Sequence, residues 1–118
     1  MQPASIRADQ DGAVTIVLRG DIDFTTSPAV LQAIRTGLPG EAVPSISVDL
    51  ADVGFMDSSG MGVMVQILRL AEETGAALRV EHPNPNVHDQ LQLSGLAELL
   101  GLPATEPRWL NTPTREMG

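Results

Sequence analysis

Three short runs of alternating apolar and polar residues are separated by two longer runs of helical periodicity, and this order constrains the fold more than any other feature. Val14, Ile16 and Leu18 fall on one face of the first run. Ile46, Val48 and Leu50 alternate with Ser47 and Asp49 in the second, and Ala77, Leu78 and Val80 mark the third. Between them, Leu31, Ile34 and Leu38 recur at helical spacing, as do apolar residues from Met61 to Leu70. Strands that alternate with helices predict a sheet with parallel members joined by crossovers. A further strand starting near Ile6 precedes the first run across Gln10-Asp11-Gly12, where an Asp-Gly pair suits a tight hairpin. The expected sheet is therefore part hairpin and part parallel, with helices packed on it.

Local signals set the ends of these elements. Ser27 can cap the first helix and Pro28 can fill its first position, with the end near Gly37-Leu38 and a connector from Pro39 to Pro44. The second helix is expected from about Ser59 to Glu73, stopping at Thr74-Gly75. Met61, Val63, Met64, Val65, Ile67, Leu68 and Leu70 cover more of its circumference than one buried stripe needs, so some apolar side chains should be exposed. Asn84-Pro85 opens a third helix that carries Val87, Leu91 and Leu93 and closes at Ser94-Gly95. Leu96 to Leu102 fits a short strand or a helix. Residues 103–118, with Pro107, Pro113 and Trp109, read as a Pro-rich tail after a single domain over 1–102.

Composition narrows the function classes. A chain of 118 residues buries roughly two-thirds of its unfolded surface. It needs no disulfide, and without cysteine it has no thiolate chemistry. Lys+Arg total 7 against Asp+Glu 15, a net charge of -8 that repels nucleic acid and anionic membranes. Met1-Gln2-Pro3-Ala4-Ser5 has no basic start with an apolar run behind it, and no stretch reaches the ~20 apolar residues of a membrane span. The expectation is a cytoplasmic monomer with no nucleic-acid or membrane partner.

The most informative segment is the turn Asp52-Val53-Gly54-Phe55-Met56-Asp57-Ser58-Ser59-Gly60-Met61-Gly62. Asp57 or Ser58 would cap the second helix, and the glycines permit close backbone approach. A hydroxyl here projects from a helix N-terminus, whose unpaired N–H groups and positive dipole end suit an added phosphate. Read alone, Asp-Ser-Ser-Gly is first of all a plain helix cap.

Val48-Asp49-Leu50 together with Phe55 to Val63 resembles the signature of the STAS family, especially the bacterial anti-sigma factor antagonists. Leu18-Arg19-Gly20-Asp21-Ile22-Asp23, Ala76-Ala77-Leu78-Arg79-Val80 and Leu93-Ser94-Gly95-Leu96 match in order, so the resemblance covers about residues 6 to 102. It implies an α/β fold, a STAS-like mixed β-sheet with helices packed on it. It also implies partner switching. Ser58 would be phosphorylated by an anti-sigma factor that is itself a serine kinase. The unmodified form would bind that factor and free the sigma factor, and a PP2C-type phosphatase would reset the modified form. On the same basis Asp57 would orient Ser58, or simply cap. Ser59 is a second hydroxyl or a packing residue, Gly60 belongs to the contact turn, and Asp21 and Asp23 are partner contacts or a solvated acidic loop. Met61 and Met64 are soft side chains suited to a partner surface or to the core.

Other chemistry finds little support. Met56 stands where a hydrolase elbow has its first glycine, and His82 and His88 lack partner motifs. Gly60-Met61-Gly62 followed by Val65 fails the dinucleotide fingerprint, no Gly-Lys-Ser/Thr loop occurs, and the carboxylates lack calcium-loop spacing. No enzyme activity, cofactor or metal is expected. The competing reading is a non-switching STAS subunit that binds a small anion, nucleotide or lipid in a transport complex.

Overall fold

The computed structural model describes residues 2–39 and 42–100. Its chain order is β1 (Ala4–Ala8), β2 (Val14–Arg19), α1 (Ser27–Gly37), β3 (Ser45–Asp52), α2 (Ser58–Thr74), β4 (Ala77–Glu81), α3 (Pro85–Leu93) and α4 (Leu96–Leu99). The strands form one sheet in the order β1-β2-β3-β4. β1 and β2 pair antiparallel, and β2–β3 and β3–β4 pair parallel, so the mixed sheet matches the expectation.

The β1–β2 hairpin turns where Asp9 accepts hydrogen bonds from the amides of Asp11 and Ala13, and Gly12 takes the left-handed backbone at φ +85°. Register then fixes the two faces of the sheet. Ile6, Ile16, Val48 and Val80 form one transverse row, and Ala8, Val14, Ile46 and Leu78 the next. These rows face α1 and α2, which touch each other while α1 packs on β1 and α2 on β4. The opposite face carries Ser5, Arg7, Thr15, Ser47, Asp49, Arg79 and Glu81 with Val17, the polar half of each alternation.

Buried strand residues join Val30 and Ile34 of α1, Val63, Met64 and Ile67 of α2, and Val87 and Leu91 of α3 in one core. Each fully buried aliphatic side chain contributes about 1.5–3 kcal/mol relative to exposure. α2 ends as expected, with Gly75 at φ +74° donating its amide to Ala71 and Glu72 carbonyls. Val65, Leu68 and Leu70 are half-buried, which accounts for the surplus apolar circumference.

Two expectations need correction, and one open alternative is decided. Ser27 is the first residue of α1, not its cap. Thr26 holds the cap position without a side-chain cap bond, because its hydroxyl donates to the Asp21 carbonyl and accepts from the Asp23 amide. Leu93 is 87% exposed. It lies about 200° around the helix from Leu91 at 100° per residue, so both cannot face the core. Part of the ambiguous Leu96–Leu102 segment is helix α4, which starts after Gly95 at φ +82°. Leu100 is buried just after α4, and residues 101–118, the rest of that segment and the Pro-rich tail, lie outside the described residues.

Candidate functional site at the Ser58 turn

The carboxyl ends of the parallel strands β2 and β3 lead into two loops that are zipped together. At the end of β2 the register slips: Val17 faces Asp49 but Arg19 faces Asp52, so β3 gains one residue there. Such a bulge bends the strand and redirects the chain beyond it. Past it, Gly20 donates its amide to the Asp52 carbonyl at 2.9 Å, Ile22 donates to Phe55 at 2.9 Å, and Asp57 donates to Ile22 at 3.2 Å. Ile22 and Met56 form an isolated parallel bridge and are both fully buried. The loop of Asp21 and Asp23 therefore lies against the Ser58 turn.

A third loop braces the other side. Asn84 caps α3 by accepting from the Val87 amide at 2.8 Å, and its Nδ2 donates to the carbonyls of Val53 at 3.1 Å and Gly54 at 3.3 Å. One side chain thus starts a helix and ties down the turn before Ser58.

Asp57 is the N-cap of α2. One carboxylate oxygen accepts from the Ser59 amide at 2.7 Å and the Gly60 amide at 3.3 Å, while the Asp57 carbonyl accepts from the Met61 amide at 3.0 Å. The expectation that unpaired amides await a phosphate is corrected here, because Asp57 already holds two of them. Ser58, the first helical residue, is exposed, whereas Ser59 is half-buried. Gly60 is buried against the Ile22–Met56 zipper: a Cβ placed there would lie 2.1 Å from Met56 Cγ and 2.8 Å from the Ile22 carbonyl oxygen. Its role in this turn is close packing rather than surface contact.

The acidic loop divides its work. Asp23 holds its own turn: Oδ1 accepts from the Thr25 hydroxyl at 2.6 Å and from the Thr25 and Thr26 amides at 2.9 and 3.1 Å. The Thr25 hydroxyl, and after it the amides, hold the Asp23 carboxyl below its ordinary value. Asp21 is exposed, with Oδ1 3.3 Å from where a Gly54 Cβ would stand. Met61 is half-buried, and its sulfur is 3.8 Å from the Ser94 hydroxyl. Met64 corrects the reading as a partner contact. It is fully buried in the stripe Gly60, Val63, Met64, Ile67 and Ala71.

Phe24 and Phe55 were not singled out by sequence reasoning. Phe24 is 74% and Phe55 42% exposed, and both sit on the zipped loops. The available signal was that both phenylalanines of the chain fall in polar loops just before helices. His82 is exposed after β4 and contacts Asp49 at 3.2 Å, and His88 is half-buried on α3. Among the described residues, no group of three or more His, Asp or Glu is placed to hold a metal, and no helix is long and apolar enough to cross a membrane.

The site can thus present a hydroxyl at the tip of a rigid turn, flanked by aromatic and acidic side chains. The chain is similar to known proteins over most of its length. The anti-sigma F factor antagonist of Paenibacillus polymyxa is 32% identical over 89 residues, covering 75% of this chain and 76% of that protein. An anti-sigma factor antagonist from Mycobacterium paratuberculosis superposes with a TM-score of 0.70 at 29% identity, covering 91% of this chain and 89% of that one. The Bacillus cell fate determinant SpoIIAA in its phosphorylated form superposes with a TM-score of 0.54 at 25% identity over 92% of this chain and 96% of that one. The family model described as Mlab, STAS domain matches residues 6–101, and the chain belongs to the STAS domain family.

Proposed function

We propose that this protein is an anti-sigma factor antagonist whose binding is switched by phosphorylation of Ser58. The carrying observation is the exposed Ser58 at the first position of α2, directly after the Asp57 cap and between two braced loops. Similarity to antagonists over about three-quarters of the chain supports the reading, as does a similar protein solved in a phosphorylated form.

The physics of the turn supplies the switch. A phosphate adds about -1.5 to -2 charge at neutral pH. With the Ser59 and Gly60 amides already taken by Asp57, the new charge gains little local compensation beyond the helix dipole. It also stands directly after Asp57, whose carboxylate caps the same helix start. A partner surface shaped for a hydroxyl would have to desolvate that charge, so the modified form lets go. The partner is an anti-sigma factor acting as a serine kinase, and a PP2C-type phosphatase returns the protein to the binding form. Asp57 holds the turn in shape for the kinase.

The test is incubation with ATP and each anti-sigma-type kinase of the source organism, with the modified residue mapped by mass spectrometry. One kinase should modify the parent at Ser58 and leave Ser58→Ala unmodified. Absence of Ser58 modification by every such kinase would overturn the proposal.

A further inference from the structure

We infer that Phe24 is the apolar anchor by which this protein selects its anti-sigma factor, inserting into an apolar pocket ringed by Lys and Arg side chains on that partner. The inference rests on the switching function proposed above and names a contact within it.

An exposed phenylalanine is unusual for its cost. A buried aromatic side chain removes roughly 150–250 Å² from water, and aromatic residues are the usual anchors of protein interfaces. Isolated exposed leucines need no explanation. This chain, however, has two phenylalanines in all, and both are exposed on the loops that flank Ser58. Phe24 and Ser58 each stand two residues beyond the bridging pair Ile22 and Met56, so the ring is carried at the same end of the molecule as the hydroxyl.

Phe24 is also held in place. The Asp23 carboxylate accepts the Thr25 and Thr26 amides, its carbonyl accepts the Thr26 and Ser27 amides, and the Asp23 amide donates to the Thr26 hydroxyl. The turn that carries the ring is ordered before any partner arrives, which lowers the ordering cost of docking. The surrounding charge sets the complement. Asp21 is exposed on the same loop, Asp52 is exposed at the end of β3 where its carbonyl accepts the Gly20 amide, and the chain carries a net charge of -8, so a matching pocket is rimmed by cations.

The experiment measures Kd for the kinase that modifies Ser58, using unmodified parent, Phe24→Ala and Phe24→Leu, by titration calorimetry. Thermal midpoints of all three are recorded first. An anchor residue costs about 30-fold or more on truncation. Phe24→Ala should weaken binding by that factor at an unchanged midpoint, and Phe24→Leu should recover most of it. Raising salt should weaken the parent complex by slowing association. Parent-like affinity of Phe24→Ala, with Ser58 phosphorylation still releasing the partner, would overturn the anchor while the switch stands. Equal loss in Phe24→Ala and Phe24→Leu with lowered midpoints would assign Phe24 to loop structure and overturn it too. If no anti-sigma factor binds the parent, both the anchor and the switch fall.

Discussion

Two glycines two residues apart in α2 should respond to the same substitution with opposite signs. An exposed helical glycine replaced by alanine gains up to about 1 kcal/mol, because alanine loses less backbone freedom on folding. Gly62 is exposed, and nothing lies within 4 Å of a Cβ built on it, so Gly62→Ala should stabilise the isolated domain by about 0.5–1 kcal/mol. At Gly60 the same gain meets two close contacts, Met56 Cγ at 2.1 Å and the Ile22 carbonyl oxygen at 2.8 Å. Neither can retreat easily. Met56 is fully buried, and the Ile22 carbonyl accepts the Asp57 amide. Overpacking costs typically about 1–3 kcal/mol, which exceeds the propensity gain. Gly60→Ala should therefore lose about 1–2 kcal/mol net. The two variants should then be separated by roughly 10 °C in thermal midpoint. Urea unfolding followed by far-UV circular dichroism at 25 °C measures both. A Gly60→Ala variant as stable as Gly62→Ala would refute the close packing of α2 against the zipper.

Three further outcomes follow from the same geometry. Asp57→Ala should cost about 1 kcal/mol as a lost cap, whereas Asp57→Asn keeps an acceptor and should stay within about 0.5 kcal/mol of the parent in urea unfolding. Equal stability of Asp57→Ala and the parent would show that the two amide bonds contribute nothing. Met64→Ala should lose about 2–5 kcal/mol as a core truncation, and half-buried Met61→Ala markedly less; the reverse order in urea unfolding would place Met64 outside the core. The Asp49 carboxyl is held below its ordinary value, first by the Ala51 amide and then by His82. A depressed folded-state pKa contributes stability above the unfolded value of about 3.9 and loses it as pH falls through the folded one. Asp49→Asn should thus be less stable than the parent at pH 6, with the difference closing below about pH 4; a constant difference down to pH 2.5 would contradict this.

The elements that carry a strong period were readable from the sequence. Ile46, Val48 and Leu50 alternate because one face of β3 packs on helices, and Thr74-Gly75 ends α2 because only a residue tolerant of positive φ fits there. The Ser58 turn was readable as well, since its Asp, Ser and Gly types each suit a helix start. Faces were harder. Met61 and Met64 are three positions apart on one apolar helix, and only the packed partner distinguishes the half-buried one from the core one. Leu93 looks like core by type but points outward by phase. The Phe24 loop could not be derived from local pattern, because its position depends on the long-range bridge between Ile22 and Met56. The occupation of the helix amides by Asp57 likewise needed coordinates, since either Asp57 or Ser58 could have capped.

The most direct measurement of the central proposal compares the affinity of one anti-sigma factor for the unmodified protein and for the form phosphorylated at Ser58. The account predicts at least about 100-fold weaker binding of the phosphorylated form, as befits a charge forced into a contact built for a hydroxyl. Equal affinity of the two forms would contradict it and leave the Asp57-Ser58 turn as a helix cap alone.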